Sequence, residues 1–180
     1  MIYLFLANGF EEIEGLTALD VLRRAGEEIM TVGVGSEKIV GSHKVPVICD
    51  TTVDKIEKTD DLKAVILPGG MPGTLNLEAD KTVQEYIDFA NEKGALVCAI
   101  CAAPSILGHK GLLQGKKAVC FPGFEKELAG ADICENGVVR DGNIITAKGM
   151  GVSLDFGLEI LAVLQGKEKA DAVKAAVQSN

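Results

Sequence analysis

Short, nearly continuous apolar runs alternate along the chain with longer stretches whose apolar positions recur every three to four residues. "IYLFLA", "IMTVGV", "KAVILPGG" and "ALVCAI" have the pattern of strands covered on both faces. "EEIEGLTALDVLRRAG" has helical periodicity, acids in its first turn, arginines near its end and Gly26 as a stop. "DKTVQEYIDFANEKG" reads as a helix closed by Gly94, "APSILGHKGLLQG" as another, and "KAVCF" as a further strand. "KIVGSHKVPVICDTTVD" predicts one or two short strands in a hairpin, and "ICENGVVRDGNIITAKG" a hairpin turning at Asp141-Gly142. "GVSLDFGLEILAVLQGKEKADAVKAAV" predicts helix broken at Gly166.

This order predicts an α/β sandwich: a mostly parallel sheet with helices on both faces, in one domain over residues 1–180. Ligands of such sheets bind beyond the carboxyl ends of the strands. The loops 7–14, 68–74 and 100–105 are therefore the candidate site.

Composition narrows the function classes. The net charge is −8 and no Lys/Arg block is present, which excludes phosphate tracking on nucleic acid. No apolar run reaches the ~18 residues of a membrane span, and the N-terminal stretch lacks a basic signal region, so a cytoplasmic protein is expected. Five cysteines in a chain this long favour reduced thiols.

Cys101 sits where "ALVCAI" gives way to a helix. Ala102 and Ala103 allow a sharp strand-to-helix turn that lifts the side chain above the sheet, the logic of a nucleophile elbow. The adjacent helix N-terminus favours thiolate over thiol. Position alone leaves a buried core cysteine equally open. Cys98 and Cys101 form a C-x-x-C, but three positions along a strand point to opposite faces, which argues against a disulfide. No second ligand pair supports zinc. His109, about 12 Å along the helix from Cys101, is too far to serve as its base and reads as a mid-helix structural residue. His43 reads as solvated, and Cys49, Cys120 and Cys134 as fillers.

Glu14 is the second anomaly. At 100° per residue it shares the apolar stripe of Ala18, Val21 and Ala25, whereas Glu12 falls towards the polar side with Asp20, Arg23 and Arg24. Glu11 leans inward from a first turn expected to fray. Burial would raise the Glu14 pKa and let it hold or move a proton. A glutamate at a subunit interface would show the same pattern.

"LPGG", "AICAAPSIL", "GFEEIEGLTALDVLRRAG" and "IITAKGMGVSLDFGLEI" together resemble the DJ-1/ThiJ/PfpI superfamily, in order over essentially the whole chain and most closely its DJ-1-like branch. The resemblance implies a flavodoxin-like sandwich and a homodimer. It implies a reactive Cys101 hydrogen-bonded by a protonated Glu14, and an anion pocket from the backbone of Gly69 and Gly70 with the Ala102 N–H. Two positions depart from the human-type pattern: Phe121 replaces a histidine and Lys148 an arginine.

The activity implied is cofactor-independent and metal-free chemistry on reactive 2-oxoaldehydes such as methylglyoxal, or on their early protein or nucleotide adducts. Cys101 would add to the aldehyde carbon, Gly70 and Ala102 would hold the oxyanion and Glu14 would move the proton. An oxidative-stress sensor or redox-regulated chaperone would use the same cysteine. A peptidase or amidotransferase-like hydrolase is disfavoured, because Ala102 stands where those branches place a histidine.

Overall fold

The computed structural model describes residues 1–179. In chain order the elements are β1 (Ile2–Leu6), α1 (Glu12–Arg24), β2 (Ile29–Gly33), β3 (Lys38–Val40), β4 (Pro46–Ile48), β5 (Thr51–Thr52) and β6 (Ala64–Leu67). There follow α2 (Gly73–Ala79), α3 (Lys81–Lys93), β7 (Leu96–Ile100), α4 (Pro104–His109), β8 (Lys117–Ala118) and β9 (Asp132–Ile133). The chain closes with β10 (Val138–Asp141), β11 (Ile144–Ala147), α5 (Ser153–Gln165) and α6 (Lys167–Ala176).

Seven strands form one sheet in the order β10-β11-β7-β6-β1-β2-β5, parallel throughout except for β10, which pairs antiparallel with β11. Strand alternation sorts the core into two layers. Leu4, Ile66, Cys98 and Ile145 pack towards α1 and α5, while Phe5, Val65, Val97 and Ile144 pack towards α2, α3 and α4. Every residue of β1, β6, β7 and β11 is buried, which is why β1, β6 and β7 read as unbroken apolar runs. The architecture is the flavodoxin-like α/β sandwich.

Helix boundaries follow from local chemistry. The Asp80 side chain caps α3 by accepting from the Val83 N–H, and Gly94 ends it in the left-handed conformation at φ 70°. Glu11 caps α1, its carboxylate accepting the Glu14 N–H at 2.8 Å, so the first turn is pinned rather than frayed. Gly166, at φ 90°, separates α5 from α6 as expected.

Three expectations need correction. Helix α4 stops at His109 instead of running on to Gln114, because Gly111 and Gly115 take positive φ and turn the chain. "KAVCF" contributes only the two residues of β8, paired with β9 outside the main sheet. Helix α2 lies in a stretch read as loop, since seven residues starting at a glycine carry too little periodicity to register. No helix among the described residues is long and apolar enough to cross a membrane.

Candidate active site

The carboxyl ends of β1, β6, β7 and β11 meet at Cys101. Its backbone is left-handed, at φ 65°, a conformation that costs a non-glycine residue on the order of 1–2 kcal/mol. Two hydrogen bonds enforce it: the Cys101 N–H donates to the Ala147 carbonyl at 2.9 Å, and its own carbonyl accepts the Phe121 N–H at 2.7 Å. The turn also reverses the side chain. Cys101 therefore packs against the same layer as Cys98, not the opposite one. Alternation along a strand stops applying where φ changes sign, yet both thiols are free and Cys98 is fully buried in β7.

Glu14 reaches the cysteine from α1. It is 1% exposed, and its Oε2 accepts the Gly69 N–H at 2.9 Å. Gly69 is required by contact: a Cβ there would stand 2.5 Å from the Cys101 Cβ and 2.7 Å from Glu14 Oε2. The Gly69 N–H is thus committed to Glu14 and is not free to hold a bound anion. Gly70, at φ 89°, is anchored through its carbonyl by the Thr74 N–H at 2.9 Å and the Thr74 hydroxyl at 3.0 Å. Its N–H and that of Ala102 are turned towards the Cys101 sulfur.

Burial pushes the Glu14 carboxyl up to about 7, against the opposing influence of the Cys101 side chain and the Gly69 N–H. Its other oxygen, Oε1, is buried without a closed hydrogen bond and faces Gly149. An ionised carboxylate with an orphan buried oxygen is costly, which favours the neutral acid. Burial and the Glu14 charge push the Cys101 thiol up to about 12, while Gly70 and Ala102 pull it down. The thiol is therefore not acidified on its own, contrary to the expectation from the helix N-terminus. Between these limits the pair holds one proton, and its passage from sulfur to the adjacent carboxylate leaves a thiolate beside a neutral acid.

Neither histidine joins this pair. His43 is largely exposed, but its N–H and Nδ1 bond Glu12 at 2.8 and 3.0 Å. Glu12 itself is buried beneath the β3–β4 hairpin, not solvated on the polar side. Burial pushes its carboxyl up, but hydrogen bonds from the His43 side chain and from backbone N–H groups outweigh that and carry it down to about 2. The helical stripe could not show this, because the hairpin that covers Glu12 is remote in sequence. His109, the last residue of α4, lies between Glu78 and Glu127. Phe121, which stands in place of the histidine of the human-type pattern, is half-exposed beside Gly149. Its wall continues through Lys148 and Met150.

Residues 1–163 match the model of the DJ-1/PfpI family. The chain is 36% identical over 171 residues to Protein dj-1beta of Drosophila melanogaster, covering 93% of this chain and 91% of that one. The crystal structure of Drosophila melanogaster DJ-1beta superposes with a TM-score of 0.94 at 34% identity, covering 99% and 97% of the two chains. A Caenorhabditis elegans protein named glutathione-independent glyoxalase DJR-1.2 is 29% identical over 165 residues, 91% of this chain and 87% of that one. A family model spanning nine-tenths of the chain, a relative matched nearly end to end and a shared fold agree: the chain belongs to the DJ-1/PfpI family.

Proposed function

We propose that the protein is a cysteine-dependent enzyme that converts 2-oxoaldehydes, free or as early adducts, to 2-hydroxy acids. The observation that carries this reading is a left-handed Cys101 set against the buried carboxyl of Glu14. The relative named as a glyoxalase gives the reaction class. The Cys101 thiolate adds to the aldehyde carbon, and the carbonyl electron pair becomes an alkoxide held by the Gly70 and Ala102 N–H groups and protonated by Glu14. Glu14, now ionised, takes the proton from the former aldehyde carbon and delivers it to the adjacent carbon, and it likewise passes the hydroxyl proton from the first oxygen to the second. That step oxidises the first carbon to a thioester and reduces the second to an alcohol. Water then cleaves the thioester, releasing the 2-hydroxy acid and the thiol. All electrons stay within the substrate and one water is consumed.

Methylglyoxal turnover is expected to rise with pH through about 7, as the pair loses its first proton. Cys101→Ser should abolish it and Glu14→Gln should lower it at least 100-fold. Turnover surviving in Cys101→Ser sinks the mechanism. Absent turnover, with selective gain of two oxygens at Cys101 under peroxide, would instead mark an oxidation sensor.

The protein is further proposed to form a homodimer. Ile13, Val45, Phe121 and Met150 are half-exposed apolar residues grouped about Glu12, Glu14 and Cys101.

A further inference from the structure

Two buried hydroxyls stand behind the two N–H groups that face the Cys101 sulfur. Thr74 is the second residue of α2 and Ser105 the second residue of α4, and they are 1% and 4% exposed. Each directs both of its donors at one carbonyl just upstream. The Gly70 carbonyl accepts the Thr74 N–H at 2.9 Å and the Thr74 hydroxyl at 3.0 Å. The Ala102 carbonyl accepts the Ser105 N–H at 3.0 Å and the Ser105 hydroxyl at 2.8 Å. The residues held in this way, Gly70 and Ala102, are the two whose own N–H groups are turned to the sulfur.

Helix stability does not call for these hydroxyls. One bonded back to a carbonyl three or four residues earlier does not strengthen a helix. Neither carbonyl needs it to be satisfied, because a backbone N–H already serves each. What the second donor adds is direction. Gly70 shows the need: it lies at φ 89°, and a Cβ there would run into the backbone of Gly9, Phe10 and Glu11. The site therefore requires the residue with the greatest rotational freedom at the point where an N–H must hold its aim. A carbonyl gripped by two donors resists swinging, and the N–H on the same Cα stays where it points.

We infer that Thr74 and Ser105 are positioning residues, whose hydroxyls keep the Gly70 and Ala102 N–H groups aimed at the sulfur and at the alkoxide formed beside it. This role rests on the proposed function and deepens it by naming what aligns its oxyanion donors. Both residues act through backbone, so their loss weakens the hold on developing charge more than the hold on substrate.

Alkylation of Cys101 by iodoacetamide across pH, read at the Cys101 peptide by mass spectrometry, tests this without requiring turnover. Thr74→Ala and Ser105→Ala are each expected to move the midpoint of the profile up by about half a pH unit. The methylglyoxal kcat should fall about tenfold in each with KM changed by less than about twofold, a milder loss than deleting an oxyanion donor outright. Thr74→Ser loses the same buried methyl as Thr74→Ala but keeps the hydroxyl, and it should restore the wild-type profile. Urea midpoints are measured alongside, and the two sites are read separately, so a variant that does not fold leaves the other to decide. A lowered urea midpoint with an unmoved alkylation profile overturns the inference, since the hydroxyl would then serve the helix alone. So does a shift that Thr74→Ser reproduces, or a loss of turnover carried by KM. Profiles that move as expected in a protein without methylglyoxal turnover support the positioning role and overturn the proposed reaction instead.

Discussion

Glu12 and Glu14 stand two positions apart on α1, and the fold drives their protons in opposite directions. The difference lies in donors. Glu12 collects hydrogen bonds from the hairpin, so its charged form is favoured. Glu14 has the Gly69 N–H on one oxygen and no closed bond on the other, so its neutral form is favoured. The consequences for stability have opposite sign. Native Glu14 holds its proton more tightly than the unfolded chain, so its contribution is complete below pH 4.5 and declines as pH rises to about 7. Its size is at most about 3 kcal/mol. Native Glu12 binds a proton more weakly, so its contribution is present above pH 4.5 and declines as pH falls to about 2. Urea midpoints against pH should show Glu14→Gln flattening the upper limb and Glu12→Gln the lower. A Glu14→Gln protein with the wild-type slope between pH 4.5 and 7 would refute the assignment. Of these two residues only Glu14 was legible in the sequence, because its own helix decides its burial and the partner of Glu12 is a hairpin 30 residues away.

At the level of elements, long periodic or unbroken apolar segments read correctly, as did the hairpins β3–β4 and β10–β11, whereas α2, the end of α4 and the extent of β8 did not. α1, α3, α5, α6 and the four buried central strands carry their own signal. α2 and the end of α4 are set by glycines and by packing against loops. The reactive loop belongs to the second kind: the sequence shows a cysteine at a strand end, but not that Gly69 must lie against it. Gly69→Ala is expected to destabilise the protein by several kcal/mol, since its Cβ would meet the Cys101 Cβ, the Glu14 Oε2 and the Ile100 carbonyl oxygen. The decisive readout is Cys101 alkylation in the folded variant, measured against urea unfolding. A variant with wild-type rate and midpoint would show that the strand-end turn has room for a side chain.

For the whole molecule, the question is what covers the apolar residues around α1. A patch this close to the reactive pair, rimmed by charged groups, fits a self-association surface. Light scattering should give a dimer mass at micromolar concentration, and Ile13→Asp should shift it to the monomer while leaving the circular dichroism spectrum unchanged. A wild-type monomer at 100 μM would rule the dimer out. The sequence offered no more than a likeness on this point, because nothing in the order of residues tells a half-exposed isoleucine on a helix from one awaiting a partner.

The two backbone bonds that hold Cys101 join it to Ala147 on one side and Phe121 on the other, while Glu14 and Gly69 come from the opposite half of the chain. The reactive centre is therefore assembled from five stretches that are strangers in sequence, and no excised peptide can contain it. While the nascent chain is still emerging, Cys101 is an ordinary thiol. It acquires its character only once β11 has been made and docked, so the chain cannot react with aldehydes through this site before it has folded.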